Sequence, residues 1–167
     1  MKVFTKLFTI VVLSLLSLTG NAQGYKTAIG IRGGIITPGL TIKHFIKDDA
    51  ALEGIVATRY RGFSFTLLYE KHKSNAFEYS QLAWYYGAGG HVASYDQYYY
   101  GYYKNGSYYR DGFHGNVLSL GINGIVGLEY HFEEIPFTHS LDAMPYFDFV
   151  FRGRSFLDLG LSFRYVF

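Results

Sequence analysis

The chain contains no cysteine, so no disulfide braces it. A chain without disulfides must draw its stability from a packed core or from a membrane. Charge of one sign is also scarce. Fifteen Lys and Arg stand against 13 Asp and Glu, a formal net charge of +2. No clustered basic face appears, which excludes a nucleic-acid footprint. Beyond residue 22 there is no apolar run of 18 or more residues, which excludes a spanning helix. Any membrane crossing must then be made by strands, which satisfy their backbone only when closed into a barrel. What is plentiful fits that constraint. Aromatic residues make up 20% of the chain and there are 20 glycines, a composition suited to aromatic girdles and tight bends.

The N-terminus reads as a secretory signal peptide. Lys2 and Lys6 form a positive region, Leu7 to Leu18 is uncharged and mostly apolar, and Gly20 and Ala22 are the small residues needed for cleavage before Gln23. Residues 1–22 are expected to be removed, leaving residues 23–167 as one domain.

The most regular segment is the last, LDLGLSFRYVF. Leu157, Leu159, Leu161, Phe163, Tyr165 and Phe167 alternate with Asp158, Gly160, Ser162 and Arg164, and Val166 is the one exception. Period two over this length predicts a strand with one apolar face. It is long enough to cross a bilayer, which takes about 9–11 tilted residues. Phe163, Tyr165 and the closing Phe167 resemble the C-terminal signature of Gram-negative outer-membrane barrels. That resemblance implies recognition by the barrel assembly machinery.

The same hairpin rhythm runs through the rest of the chain. Strands are predicted at about Tyr25–Gly33, Leu40–Ile46, Leu52–Tyr60, Phe63–His72, Tyr79–Ala93, Val117–Phe132 and Thr138–Phe151, ahead of the terminal strand. Turn chemistry separates them, as at Thr37 to Gly39 and Lys47 to Asp49. The fold expected is all-β, an eight-stranded antiparallel up-and-down transmembrane β-barrel, with ten strands and very short connections as the alternative. An even strand count puts both termini on the periplasmic side. The long connection after the fifth strand then lies outside the cell.

The segments GLTIKHF from Gly39, ALEGI from Ala51, WYYGAGGH from Trp84, GINGIVGLEYHF from Gly121 and EIPFTHSLDAMPYF from Glu134 resemble, in that order, a family of short Bacteroidota outer-membrane barrel proteins. The chain departs from the family at Asn123 and Ala143, where Asp and Trp are usual. The resemblance implies a small outer-membrane barrel and carries no particular activity.

If the apolar face meets lipid, the other face lines the lumen. The inward set is Arg32, Lys43, Glu53, Arg59, Glu70, Glu129, Asp142, Asp148, Arg152, Asp158 and Arg164, six acids and five bases. An eight-strand interior is only wide enough for side chains. Balanced charges there should pair, because an unpaired buried charge is costly. A selective pore or an acid/base site is the sharper reading of this set. A salt-bridged plug that holds the register is the plainer one, and small barrels are usually filled.

One segment is unusually rich in tyrosine. Tyr95, Tyr98, Tyr99, Tyr100, Tyr102, Tyr103, Tyr108 and Tyr109 crowd the stretch before Gly115, and Lys104-Asn105-Gly106 carries a hairpin turn signal. Dense tyrosine gives rigid amphipathic contact area at low entropic cost. A surface protein or glycan is the expected kind of partner, besides outer-membrane lipid. The competing reading is an interfacial aromatic girdle.

No metal or other cofactor is implied. His91 and His114 bracket the long connection and, with Asp96 or Asp111, are the nearest approach to a ligand set. His139 and Ser140 are adjacent, so a strand sends them to opposite faces and they cannot form a nucleophile–base pair. The function expected is structural or surface-interacting and not enzymatic. A small-solute channel, a lipid-A-modifying enzyme and a soluble barrel are the alternatives.

Overall fold

The computed structural model describes residues 25–59, 61–96, 102–104, 107–109, 116–149 and 154–167. The leader expected at residues 1–22 therefore lies outside the described residues. Ten strands are present among the described residues: β1 (Thr27–Gly34), β2 (Gly39–Lys47), β3 (Ala50–Arg59), β4 (Gly62–Lys73), β5 (Leu82–Asp96), β6 (Tyr102–Lys104), β7 (Ser107–Tyr109), β8 (Asn116–His131), β9 (Phe137–Asp148) and β10 (Arg154–Val166). Eight of them close into one antiparallel barrel in the order β1-β10-β9-β8-β5-β4-β3-β2, and β6 pairs only with β7. The barrel is thus eight-stranded and up-and-down. The two extra strands form a separate hairpin on the long connection rather than enlarging the barrel.

Closure depends on both ends of the described chain. β1 pairs with β10 from Ala28↔Val166 to Gly34↔Gly160. The seam continues one residue further, where Thr27 and Phe167 exchange both backbone hydrogen bonds at 2.9 and 3.0 Å. The final rung of the barrel is therefore made by the backbone of Phe167. Val166, which breaks the apolar alternation of the last strand, points inward and is buried.

Burial alternates along the strands, apart from the ends of β2 and β3 beside their turn. On β4 the outward Phe63, Phe65, Leu67 and Tyr69 are exposed, while Ser64, Thr66, Leu68 and Glu70 are buried. The β2–β3 and β3–β4 connections are each two residues long. Lys47 pairs with Ala50 across Asp48 and Asp49, and Arg59 pairs with Gly62. Arg61, in the latter turn, takes a left-handed φ of 56°, as tight hairpin turns require.

Strand ends differ from the sequence expectation by one to three residues: β5 runs on to Asp96, β10 begins at Arg154, and two further differences have a visible cause. The fifth strand begins at Leu82, not Tyr79, because residues 76–78 form a short 3-10 turn. Asn75, Phe77 and Glu78 all sit at φ of 54–67° there, which ends strand geometry. The seventh barrel strand, β9, stops at Asp148, not Phe151. It carries Pro145 in mid-strand, between two paired neighbours. Proline donates no ladder hydrogen bond, and the β8–β9 pairing lapses between Asn123↔Tyr146 and Val126↔Ala143, opposite Gly124 and Ile125.

Candidate functional site

The lumen is the most elaborate part of the molecule. Ten of the eleven charged residues expected to face inward are buried there, each no more than 4% exposed. Arg152, the eleventh, lies outside the described residues. The ten comprise six carboxylates and four cations, and they fall into three groups.

The group nearest the end where β1 begins is the largest. Lys43 Nζ lies 3.3 Å from Glu53, 2.9 Å from Glu70 and 3.2 Å from Glu129. Its ammonium also sits 4.1 Å from the centre of the Tyr85 ring, a cation–π contact. Arg164 donates to Glu53 at 2.5 Å, to Glu129 at 3.3 Å, to the Ser140 hydroxyl at 2.8 Å and to Thr41 at 3.3 Å. Thr41 donates to Glu53, and Tyr25 to Glu129. Two cations thus hold three carboxylates from β3, β4 and β8, and the network ties together strands far apart in sequence.

Aromatic rings cover this group on the same side. His72 stacks on Tyr85 at 5.0 Å and meets Phe45 edge-on at 4.8 Å. Tyr25 packs against Phe45 and stacks on His131. His72 Nε2 also approaches Glu70 at 3.1 Å.

A second group centres on Arg32, whose guanidinium bridges Asp142 and Asp158. Asp158 also accepts from the Thr37 hydroxyl and, at 2.8 Å, from the backbone N–H of Ile36. It therefore ties the β1–β2 connection to the lumen. The third group lies toward the other rim. Arg59 approaches Asp148 at 3.5 Å and packs over the Tyr146 and Phe156 rings at 4.5 and 5.1 Å. The ring nitrogens of His91 meet Asn123 and Asp148, each at 2.6 Å.

Between the first group and the third lies an apolar cluster, with the Arg32 group beside it. Ile55, Leu68, Ile125 and Met144 are buried together with Ala57 and Tyr85. Along β3 the inward order is Glu53, Ile55, Ala57, Arg59, and along β9 it is Asp142, Met144, Tyr146, Asp148. The sequence reading singled out the charged inward residues and missed this layer. It also missed Tyr85, which hides between two outward aromatics, Trp84 and Tyr86. Period-two parity from Glu53, Glu70, Glu129 and Asp142 identifies the apolar residues on their strands, and parity from His91 identifies Tyr85.

Inward glycines seat the large lumen side chains. Tyr85 lies directly across the β5–β8 ladder from Gly127, and His91 directly across from Gly121. A Cβ on Gly127 would fall 2.6 Å from the Tyr85 ring, and one on Gly121 2.4 Å from the His91 ring. A Cβ on Gly160 would come within 2.2 Å of the Arg32 guanidinium. At Gly30 and Gly89 the obstacle is the backbone of the next strand itself, at about 2 Å, the close approach of a tightly curled sheet.

The other residues raised by the sequence distribute as follows. His91, considered as a metal ligand, points into the lumen, while His114 and Asp111 lie outside the described residues and Asp96 is described only as part of β5. Ser140 is buried and bonded to Arg164, and His139 is on the opposite face. Phe163, Tyr165 and Phe167 form an outward aromatic ladder with Phe137, with ring centres 4.8 Å apart for Phe137–Phe163 and 6.3 Å for Tyr165–Phe167. Of the Tyr-rich stretch, Tyr95 belongs to β5. Tyr102↔Tyr109 and Tyr103↔Tyr108 are successive rungs of the β6–β7 hairpin. Tyr98, Tyr99 and Tyr100 lie outside the described residues.

A narrow antiparallel barrel, apolar outside and charged within, defines the class: the eight-stranded barrels of the outer-membrane type. The crystal structure of the N-terminal β-barrel domain of Pseudomonas aeruginosa OprF shares this fold, with a TM-score of 0.58 and 20% sequence identity over 86% of this chain and 100% of that domain. At that identity the likeness establishes the fold. No family model matches the chain, and no curated protein matches it.

Proposed function

We propose that this protein is an outer-membrane barrel with a non-catalytic, structural or surface-interaction role, a lumen closed to solutes, and the Tyr-rich connection between β5 and β8 as its contact surface. The leader and the terminal aromatic strand fit export and delivery to the assembly machinery. The ordered segments from Gly39 to Phe147 fit the short Bacteroidota barrels.

The observation that carries the closed lumen is the apolar layer of Ile55, Leu68, Ile125 and Met144 between two ion-paired groups. Water and ions entering from either rim meet fixed opposite charges, then a midsection filled by these apolar side chains and by the buried Arg32–Asp142–Asp158 group beside Met144. The outer face suits lipid: outward Ile, Leu, Val and aromatic residues recur on every barrel strand. The Tyr–Tyr rungs of the β6–β7 hairpin stand on the longest connection of the barrel, where contact residues are usually carried.

Two measurements test this reading. The protein should fractionate with outer membranes, run faster unheated than boiled on a detergent gel, and show little stable conductance in planar bilayers. A large reproducible channel overturns the closed lumen, and recovery without detergent overturns the membrane placement. Replacing residues 97–115 by a Gly-rich hairpin should leave folding intact and reduce cross-linking to surface partners or binding to glycan arrays. Identical profiles from equally folded proteins would assign the tyrosines to a passive girdle.

A further inference from the structure

The outer wall is not uniformly convex. On one side, a groove of about 700 Å³ runs between β5, β8, β9 and β10, lined by Trp84, Val126, Leu128, Leu141, Ala143 and Leu159 and overhung by Asn75–Phe77 from the β4–β5 connection. Its volume lies in the range of sites that enclose a small ligand, about 300–1,000 Å³. Ala143 is the small residue that leaves the space, opposite Val126 on the neighbouring strand.

Two features beyond the groove say what fills it. The first is the overhang. Phe77 is 74% exposed and is held, with Asn75 and Glu78, in a left-handed backbone conformation that side chains other than glycine rarely adopt. Such strain persists where the surroundings over-determine it, commonly at ligand clamps. Here it holds an apolar ring over an apolar groove, at the rim where β4 ends. The second is charge. Lys73, the last residue of β4, places its ammonium 5.5 Å from the centre of the Trp84 ring that lines the groove. Asp142 also borders the groove but turns its carboxylate inward to Arg32, so the wall is apolar up to Asn75, and the end at the barrel rim carries a cation beside an aromatic ring. That is the layout of a lipid, with hydrocarbon along the wall and phosphate at the interface.

We propose that this groove binds one glycerophospholipid of the periplasm-facing leaflet, an acyl chain lying under Phe77 against Trp84 and Leu141, and the phosphate paired with Lys73. The proposal rests on the outer-membrane reading above. A second outward groove provides the contrast. It measures about 360 Å³, is lined by Ile29, Ile31, Leu40, Ile42, Val56 and Phe65 around Gly54, and has no charged residue in its lining. Bulk lipid chains are enough to cover it.

The test uses the full barrel inserted into vesicles of phosphatidylethanolamine and phosphatidylglycerol, then extracted into mild detergent and weighed intact by native mass spectrometry. Heat-modifiable migration is checked first for every variant. Wild type should retain one phospholipid per barrel. Ala143→Phe, which fills the groove from an outward position, should reduce retention by about tenfold or more, a difference of about 1.4 kcal/mol. Lys73→Gln should weaken retention of phosphatidylglycerol while leaving the barrel folded. Gly54→Phe, in the contrasting groove, should change nothing. A barrel that fails to insert at all refutes the outer-membrane reading. A barrel that inserts but retains lipid equally with and without Ala143→Phe refutes the lipid site alone, and a lipid-free dimer mass assigns the groove to a second copy.

Discussion

On β10, Leu157, Leu159 and Leu161 face outward, while Asp158, Gly160, Ser162 and Arg164 face the lumen. The two sets share one backbone and obey opposite rules. Outside, the recurrent feature is a large apolar side chain with no particular partner. Inside, each residue is fitted to particular partners: Asp158 to Arg32 and Thr37, Gly160 to the guanidinium above it, Arg164 to two carboxylates and two hydroxyls. The outer wall therefore tolerates exchange, and the lumen fixes the register. A one-residue slip of any strand would bring charges to the lipid face and leucines to the ion pairs.

The comparison is broken most directly at Arg164. Arg164→Met removes one of the two cations that hold Glu53 and Glu129 and leaves buried carboxylates under-compensated. A loss of about 3–5 kcal/mol is expected in folding titrations in detergent. Leu161→Ala, three residues away on the outer face, should cost no more than about 0.5 kcal/mol, as surface substitutions usually do. Equal costs would mean that the lumen network is not what holds the barrel together.

A smaller effect is expected at the inward glycine. Gly160→Val forces Arg32 off its seat and away from Asp142 and Asp158, so an overpacking cost of about 1–3 kcal/mol should appear. The mutant gel mobility before heating should also change, since Arg32 links β1 to β9 and β10.

Next comes the seam. Deleting Phe167 removes the two backbone bonds to Thr27 as well as the ring, whereas Phe167→Ala removes only the ring. The deletion should lower the yield of inserted barrel more than the substitution does. Equal yields would place the whole effect in the side chain, as a signal read by assembly machinery.

The smallest effect is expected outside the barrel wall. In the β2–β3 turn, the Lys71 ammonium lies 2.7 Å from Asp49 and holds its carboxyl below the usual range. A depressed carboxyl contributes above its unfolded pKa and ceases to contribute as pH falls through the folded one. The pair is exposed, so Asp49→Asn should leave the unfolding midpoint unchanged near neutral pH, and any small difference from wild type should vanish in acid. A change as large as that of Arg164→Met would show that the turn, and not only the lumen, sets the register.

The sequence by itself determined the class of fold, the strand count of the barrel and the inward parity of ten charged residues. Those follow from period-two alternation, which is a property of one strand at a time, and from the bilayer's demand that strands close. It also marked the Asn-Gly pair between β6 and β7. Which charges meet was decided only by the tertiary structure. Lys43 with Glu70 and Glu129, and Arg32 with Asp142, are partners across strands up to 110 residues apart, and no local pattern encodes the shear that brings them level. The apolar layer, the glycine seats under Tyr85 and His91, and the groove under Phe77 belong to the same category. Each depends on which residue stands opposite which, and opposition is fixed when the sheet curls and closes.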